Sequence, residues 1–283
     1  MYSRLMTSAP AVRNESLQSL ERGMAVIQVF SREHPALTLS EVARLTGYTR
    51  ATCRRILLTL EKLGHVRSDG RSFMLTPRVL TLGWAYLTSL DLSELAQPLM
   101  EELAERTRES CSVATLDLPD VVYVARVPTR RIMTISLGVG ARLPAHATSM
   151  GRVLLAALPE DELEAYLAQT PLERFTEHTI TDPAALRAAI AETRTQGWAL
   201  VDQELETGLR SVAAPINRAQ AGTIAAINSS AAAQRVSIEE FGSRVVPALL
   251  ETAKLISAGA GWAGEWKIET SRAQPASQAT PRA

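Results

Sequence analysis

Arg50, Thr52, Arg54, Arg55, Thr59 and Lys62 fall at spacings that put them along the outward side of a single helix beginning after Thr49. Guanidinium and hydroxyl groups on one helical face can bind phosphate oxygens and base-edge acceptors, and an arginine can hold guanine O6 and N7 with two parallel hydrogen bonds. A charged helix face is more often just solvated, so the flanking elements must decide. A second set lies further on: Ser149, Met150 and Gly151, then Arg210 and Ser211, then Asn228, Ser229 and Ser230. If residues 149–151 open a helix, their unpaired backbone N–H groups and the helix dipole favour a carboxylate. Gly151 permits close approach, Met150 offers a soft apolar wall, and the serines and Asn228 can bond hydroxyl or carboxyl oxygens. Arg210 could fork onto a carboxylate. Each has a structural alternative: Ser149 as a cap, Gly151 for packing, Arg210 paired with Glu204 or Glu206.

The same region carries groups that could do catalysis. His146 with Ser149 and Asp182 or Asp202 supplies the ingredients of a hydrolase triad, but no Gly-x-Ser-x-Gly elbow surrounds the serine. Gly138-Val139-Gly140 is half of a nucleotide fingerprint without the rest. An enzyme is not expected. Two cysteines, Cys53 and Cys111, and four scattered histidines argue against a disulfide framework or a metal site, and no cofactor is expected.

The elements around the basic face give it meaning. A helix over 17–33 follows from Leu17, Leu20, Met24, Ile27 and Phe30, with Ser16 as cap and His34-Pro35 as stop. A second, over 40–46, takes Ser40 as cap; small Ala43 lets helices cross closely and Gly47 turns the chain. The third, to about Leu63, turns Cys53, Ile56, Leu57, Leu60 and Leu63 inward. This is a helix-turn-helix, whose second helix enters a DNA major groove. Residues 65–75 read as a hairpin around Asp69-Gly70, the wing of a winged helix, offering Arg67 and Arg71 to the DNA backbone or minor groove. Charge agrees. Residues 1–78 hold 12 Lys/Arg against 6 Asp/Glu, so the remainder, at 18 against 24, is acidic within a chain of net charge zero.

Pro77 opens a helix that is apolar almost all round, and Leu80, Trp84 and Leu87 are expected to pack against the same helix of a second copy. Beyond it come a helix over 92–109, strands over 111–117, 121–127 and 132–137, helices over 149–157, 160–168 and 183–196, strands over 198–203, 211–216 and 223–228, and a helix from Ser237 to about Ser257 kinked at Pro247. This order implies an α+β domain with an antiparallel sheet, of the GAF-like sensor type. The expected division is a mobile arm (1–13), a winged helix-turn-helix domain (14–76), a linker helix (77–91), an effector-binding domain (92–264) and a disordered tail (265–283). No apolar run approaches the roughly 20 residues of a membrane span, and the first residues lack a signal peptide's apolar stretch. The expectation is a cytoplasmic protein without a membrane partner.

The run from Leu17 to Val26, the helix-turn-helix, His146-Ala147-Thr148-Ser149-Met150-Gly151-Arg152, and Val201-Asp202-Gln203-Glu204 through Gly208-Leu209-Arg210-Ser211 together resemble the IclR family of bacterial transcriptional regulators. The likeness runs from Glu15 to Ala258 and is nearest to the PcaR and PobR branch, which governs aromatic-acid breakdown through the β-ketoadipate route. It implies a winged-helix domain on a palindromic double-stranded operator, a dimer or tetramer, and a small carboxylic-acid effector bound between the sheet and the loop entering the helix at 149. His146 and Asp202 lie within the shared motifs and are counted with the candidate effector residues. Thr49 and Cys53 depart from a common proline and valine of the family, so an operator sequence does not carry over. The competing reading is a DNA-binding architectural protein without a ligand.

Overall fold

A computed structural model describes residues 17–89, 92–129 and 138–260. The expected arm 1–13, the strand over 132–137, the tail 265–283 and the side chain of Leu87 lie outside the described residues. The chain divides into two compact units, one up to Tyr86 and one from Leu87 onward.

In the first unit, helix α1 (Gln18–Gln28) precedes the two-residue strand β1 (Leu37–Thr38), α2 (Leu39–Thr46) and α3 (Arg50–Lys62). The cap of α2 is Thr38 rather than Ser40. Its hydroxyl accepts from Glu41 N while Glu41 takes Thr38 N, a reciprocal capping box. Gly47 follows at φ +72, the left-handed value that turns α2 towards α3. Val26, Val42, Cys53, Leu57 and Leu60 form the core. Leu17, Leu20, Met24 and Leu63 remain exposed. The three-helix core is too small to cover the first turns of α1, and they border a groove against α3 instead. Strands β2 (Val66–Ser68) and β3 (Ser72–Leu75) make the expected hairpin, and β1 adds to the far edge of β3. Asp69 Oδ1 closes the tip by accepting from Ser72 N and Arg71 N, which holds its carboxyl below the usual carboxylate range. A 3-10 turn (Pro77–Val79) leads into α4 (Leu80–Ser89).

The second unit is a six-stranded antiparallel sheet between helices. Its strands are β4 (Ser110–Asp117), β5 (Asp120–Val127), β6 (Arg142–Pro144), β7 (Ala199–Asp202), β8 (Leu209–Arg218) and β9 (Gly222–Ala232), in spatial order β6-β5-β4-β9-β8-β7. The architecture is α+β, and β6, not read in the sequence, pairs with β5. One face carries α5 (Leu92–Thr107) and α10 (Val246–Ala260) over Cys111, Val113, Val212, Ala214 and Ile227. The other carries α6 (Ser149–Ala156), with α7 (Glu160–Gln169) and α8 (Pro183–Gln196) behind it. The final helix is not simply kinked at Pro247. A single turn, α9 (Ile238–Glu240), widens into a π-turn (Phe241–Val245) before α10 begins. Proline has no N–H to give the carbonyl four residues back, and the wider turn takes up that defect, with Val246 N donating to Phe241 O.

Ser229 is an oddity in the α5/α10 face. It lies between Cys111 and Val212 across the strands, fully buried, and its hydroxyl has no partner among the described residues. An unpartnered buried hydroxyl costs about 1–3 kcal/mol. Ser229→Ala is therefore expected to raise unfolding stability by about 1 kcal/mol, visible as a higher urea midpoint at unchanged slope.

Candidate nucleic-acid interface and ligand pocket

Helix α3 presents its predicted residues on two flanks rather than one stripe. Cys53, Leu57 and Leu60 point inward, and Arg50, Arg54, Arg55 and Thr59 are exposed. Arg50 and Arg54 lie on one side of the outward face. Thr52, Arg55 and Thr59 border the groove shared with α1. Thr49 caps the helix by accepting from Thr52 N, and its hydroxyl also bonds that of Thr52. Leu58, which the sequence reading did not single out, is an exposed apolar side chain on the same helix. Arg67 and Arg71 are exposed on the wing. Among the described residues none of these five arginines forms an ion pair, so their charge is available to phosphates.

In the second unit, strand register builds a polar floor into an otherwise apolar face. Ser112 of β4 stands opposite Arg126 of β5 on one side and Asn228 of β9 on the other; Ser230 of β9 stands opposite Ser211 of β8. With Ala114, Ala213 and Ala226 beside them, these small side chains leave room for α6 to seat closely. A Cβ on Gly151 would collide with the carbonyl of Ala145, so this glycine serves the seating of α6. Ser149 comes down on Ser211, with their hydroxyl oxygens 2.6 Å apart. Asn228 Nδ2 donates to Ser211 Oγ at 3.2 Å and Ser230 Oγ at 3.1 Å, and Asn228 Oδ1 accepts from Ser112 N.

These groups floor a small hollow of about 30 Å³, walled by Leu143, Val201, Leu205 and Leu209 and bordered by Tyr123, Arg126 and Thr148. The structure thus brings together Ser149, Ser211, Asn228 and Ser230, and leaves the other candidates out of the hollow's lining. Met150 is buried in the core behind it, and Gly151 packs on Ala145. His146 bonds Glu173 O through Nε2 and lies against Phe175. Arg210 is not free to take a ligand: it forks onto Asp202 across the β7–β8 pair and donates to Val236 O. Glu204, one of the partners considered for it, takes the buried Arg152 guanidinium instead. His146, Ser149, Asp182 and Asp202 each bond different partners, so no triad forms among them.

Tyr123 and Arg126, which the sequence reading missed, have opposite parity along β5 and would face opposite ways in a regular strand. A β-bulge brings them to the same side: Ala114 pairs with Tyr123 and Val113 with Ala125, leaving Val124 as the extra residue. Burial pushes the Tyr123 phenol up to about 12 against the pull of Arg126, so it is neutral at physiological pH.

The family description "Bacterial transcriptional regulator IclR C-terminal" matches residues 84–258, and "IclR helix-turn-helix domain" matches 19–70. The chain belongs to the IclR family. It is 45% identical over 239 residues to the Pca regulon regulatory protein of Pseudomonas putida, covering 84% of this chain and 82% of that protein. A transcriptional regulator from Rhodococcus sp. RHA1 has a solved structure at 54% identity and a TM-score of 0.77, over 86% of this chain and 98% of that one. An IclR homologue of Microbacterium hydrocarbonoxydans complexed with 4-hydroxybenzoate aligns at 28% identity and a TM-score of 0.76, over 86% and 99%. This IclR-family chain is therefore a DNA-binding transcriptional regulator, in the branch of aromatic-acid pathway regulators.

The Arg152–Glu204 pair fastens the wall of the hollow. Glu204 accepts both terminal nitrogens of Arg152 at 3.0 and 2.9 Å and also Ile180 N, while its carbonyl takes Thr179 Oγ1. Removing one partner of such a pair strands a buried charge. Glu204→Leu is expected to lower unfolding stability by about 3–5 kcal/mol. The double variant Arg152→Met/Glu204→Leu should lose less than the single one, read by urea denaturation of all three.

Proposed function

We propose that this regulator binds a palindromic operator as a dimer or tetramer and that a small aromatic acid, bound in the hollow of the second unit, sets its activity. The winged helix-turn-helix domain (14–76) meets DNA through α3 and the wing, α4 within the 77–91 linker joins copies, and residues 92–264 form the sensor. The observation that carries the sensor reading is the cluster of Ser149, Ser211, Asn228 and Ser230, a polar floor inside apolar walls. Such a floor orients one small ligand by a few fixed hydrogen bonds. The 4-hydroxybenzoate complex of the Microbacterium homologue supports this class of ligand. A ligand that favours one arrangement of the sensor shifts the balance of states, and α4, which continues the chain from one unit to the next, is the route to the DNA-reading helices. A thermal-shift panel of hydroxybenzoates, benzoate and aliphatic acids, scored beside an operator gel shift, tests the sensor. A ligand-free architectural protein would show no shift.

The DNA side makes a separable expectation. Arg54→Ala should cost about 1–3 kcal/mol of operator affinity and relax sequence preference, the result of losing a base contact. Arg71→Ala on the wing should weaken all sequences alike and reduce the slope of log K against log salt by about 1.

Assembly rests on α4, where Leu80 is 74% and Trp84 63% exposed. Large apolar side chains in such number on one helix mark an interaction surface. Leu80→Glu is expected to convert the assembly to monomers in light scattering at micromolar concentration. A monomeric wild type under those conditions would refute the assembly.

A further inference from the structure

We propose that Arg126 is the residue by which the hollow selects an acid: it takes the ligand carboxylate on the β5 side, while the Ser149–Ser211–Ser230–Asn228 group takes a hydrogen-bonding substituent at the other end. This rests on reading the hollow as an effector site and assigns the two ends of the ligand.

The first ground is charge. Among the described residues, Arg126 is the one charged residue lining the hollow, and no carboxylate lies there to neutralise it. In the same unit Arg142, Arg152, Arg210, Arg235 and Arg244 each pair with a carboxylate. Arg126 forms no ion pair among the described residues, and its bond from Nη1 to Ser112 Oγ is long, at 3.5 Å. Tyr123 beside it is protonated and adds no negative charge. Among the described residues the hollow therefore carries one uncompensated positive charge, which a monoanion matches.

The second ground is aim. The bulge at Val124 turns Arg126 onto the face that holds Tyr123, Ser112 and Asn228, where regular pleating would place it on the other. The third is the state of the opposite end. Ser149, Ser211, Ser230 and Asn228 satisfy one another in a neutral network, and the cap of α6 is already closed by Thr148 accepting Gly151 N. Hydroxyls and a carboxamide can exchange partners with a phenol or similar group without leaving a charge unpaired. β5 and β8 are three strand spacings apart, about 14 Å, so Arg126 and the Ser211 group approach the hollow from different strands.

The test is titration calorimetry of the full chain with 4-hydroxybenzoate, its neutral isostere 4-hydroxybenzamide, benzoate and adipate, on wild type, R126Q, R126K and S211A. Wild type should prefer the acid to the amide at least tenfold, as expected for a charge-assisted pair. R126Q should lose tenfold or more for 4-hydroxybenzoate and less than threefold for the amide, with R126K between R126Q and wild type. S211A should weaken 4-hydroxybenzoate more than benzoate. Equal losses for acid and amide in R126Q, or no loss for the acid, would overturn the assignment. If R126Q fails to fold, the acid-to-amide preference of wild type and R126K decides, and its absence overturns the proposal. Binding of adipate alone, lost in R126Q, would refute the aromatic reading while upholding Arg126. Binding of none of the four by wild type would refute both.

Discussion

The close seating of α6 on the sheet is the constraint from which the sensor follows. It relies on small residues at Ser112, Ala114, Ser211, Ala213, Ala226 and Ser230 of β4, β8 and β9, while a side chain at Gly151 would strike the Ala145 carbonyl on the turn that precedes the helix. Close seating of a helix normally excludes everything else. Here the contact is shared between apolar packing at Met150, Val153 and Leu154 and a polar patch at Ser149, and that patch lines the hollow. Site and core are thus two ends of one interface. A substitution meant to reshape the ligand contacts acts on the packing of α6 at the same time.

The first unit solves a different problem, that of holding a cationic helix against nothing but a small core. Its stabilising devices are local: the Thr38–Glu41 capping box, the left-handed Gly47 and the Asp69 tip of the wing. These fix angles rather than bury area, which suits a module that must present arginines unpaired. The apolar residues that the core does not reach, Leu20 and Met24 among them, stay at the surface beside α3.

Much of this was legible in the chain because its signals are local. The 3.6-residue spacing of Cys53, Leu57 and Leu60 identifies α3 and its outward face, and Asp69-Gly70 identifies the wing. The α+β order of the second unit follows from strands grouped three and three with helices between them and at both ends. What stayed hidden depends on register between distant segments. Asp202 lies directly opposite Arg210 in the β7–β8 pair, which nothing in their spacing reveals, and so the arginine expected at the ligand is committed elsewhere. The bulge at Val124 defeats the alternation rule and conceals Arg126. β1 and β6, of two and three residues, are too short to display a period.

The connection between β7 and β8 divides its labour in a way that bears on how such sensors diversify. Glu204 is locked from below through Arg152, Ile180 and Thr179, whereas its neighbour Leu205 and the strand's first residue, Leu209, face the hollow. Because the rivet and the contact surface occupy different residues, exchange at Leu205 or Leu209 can remodel the shape offered to a guest molecule without loosening the segment that carries it. A lineage can thereby change its chemical vocabulary one side chain at a time while every intermediate keeps a firmly attached wall.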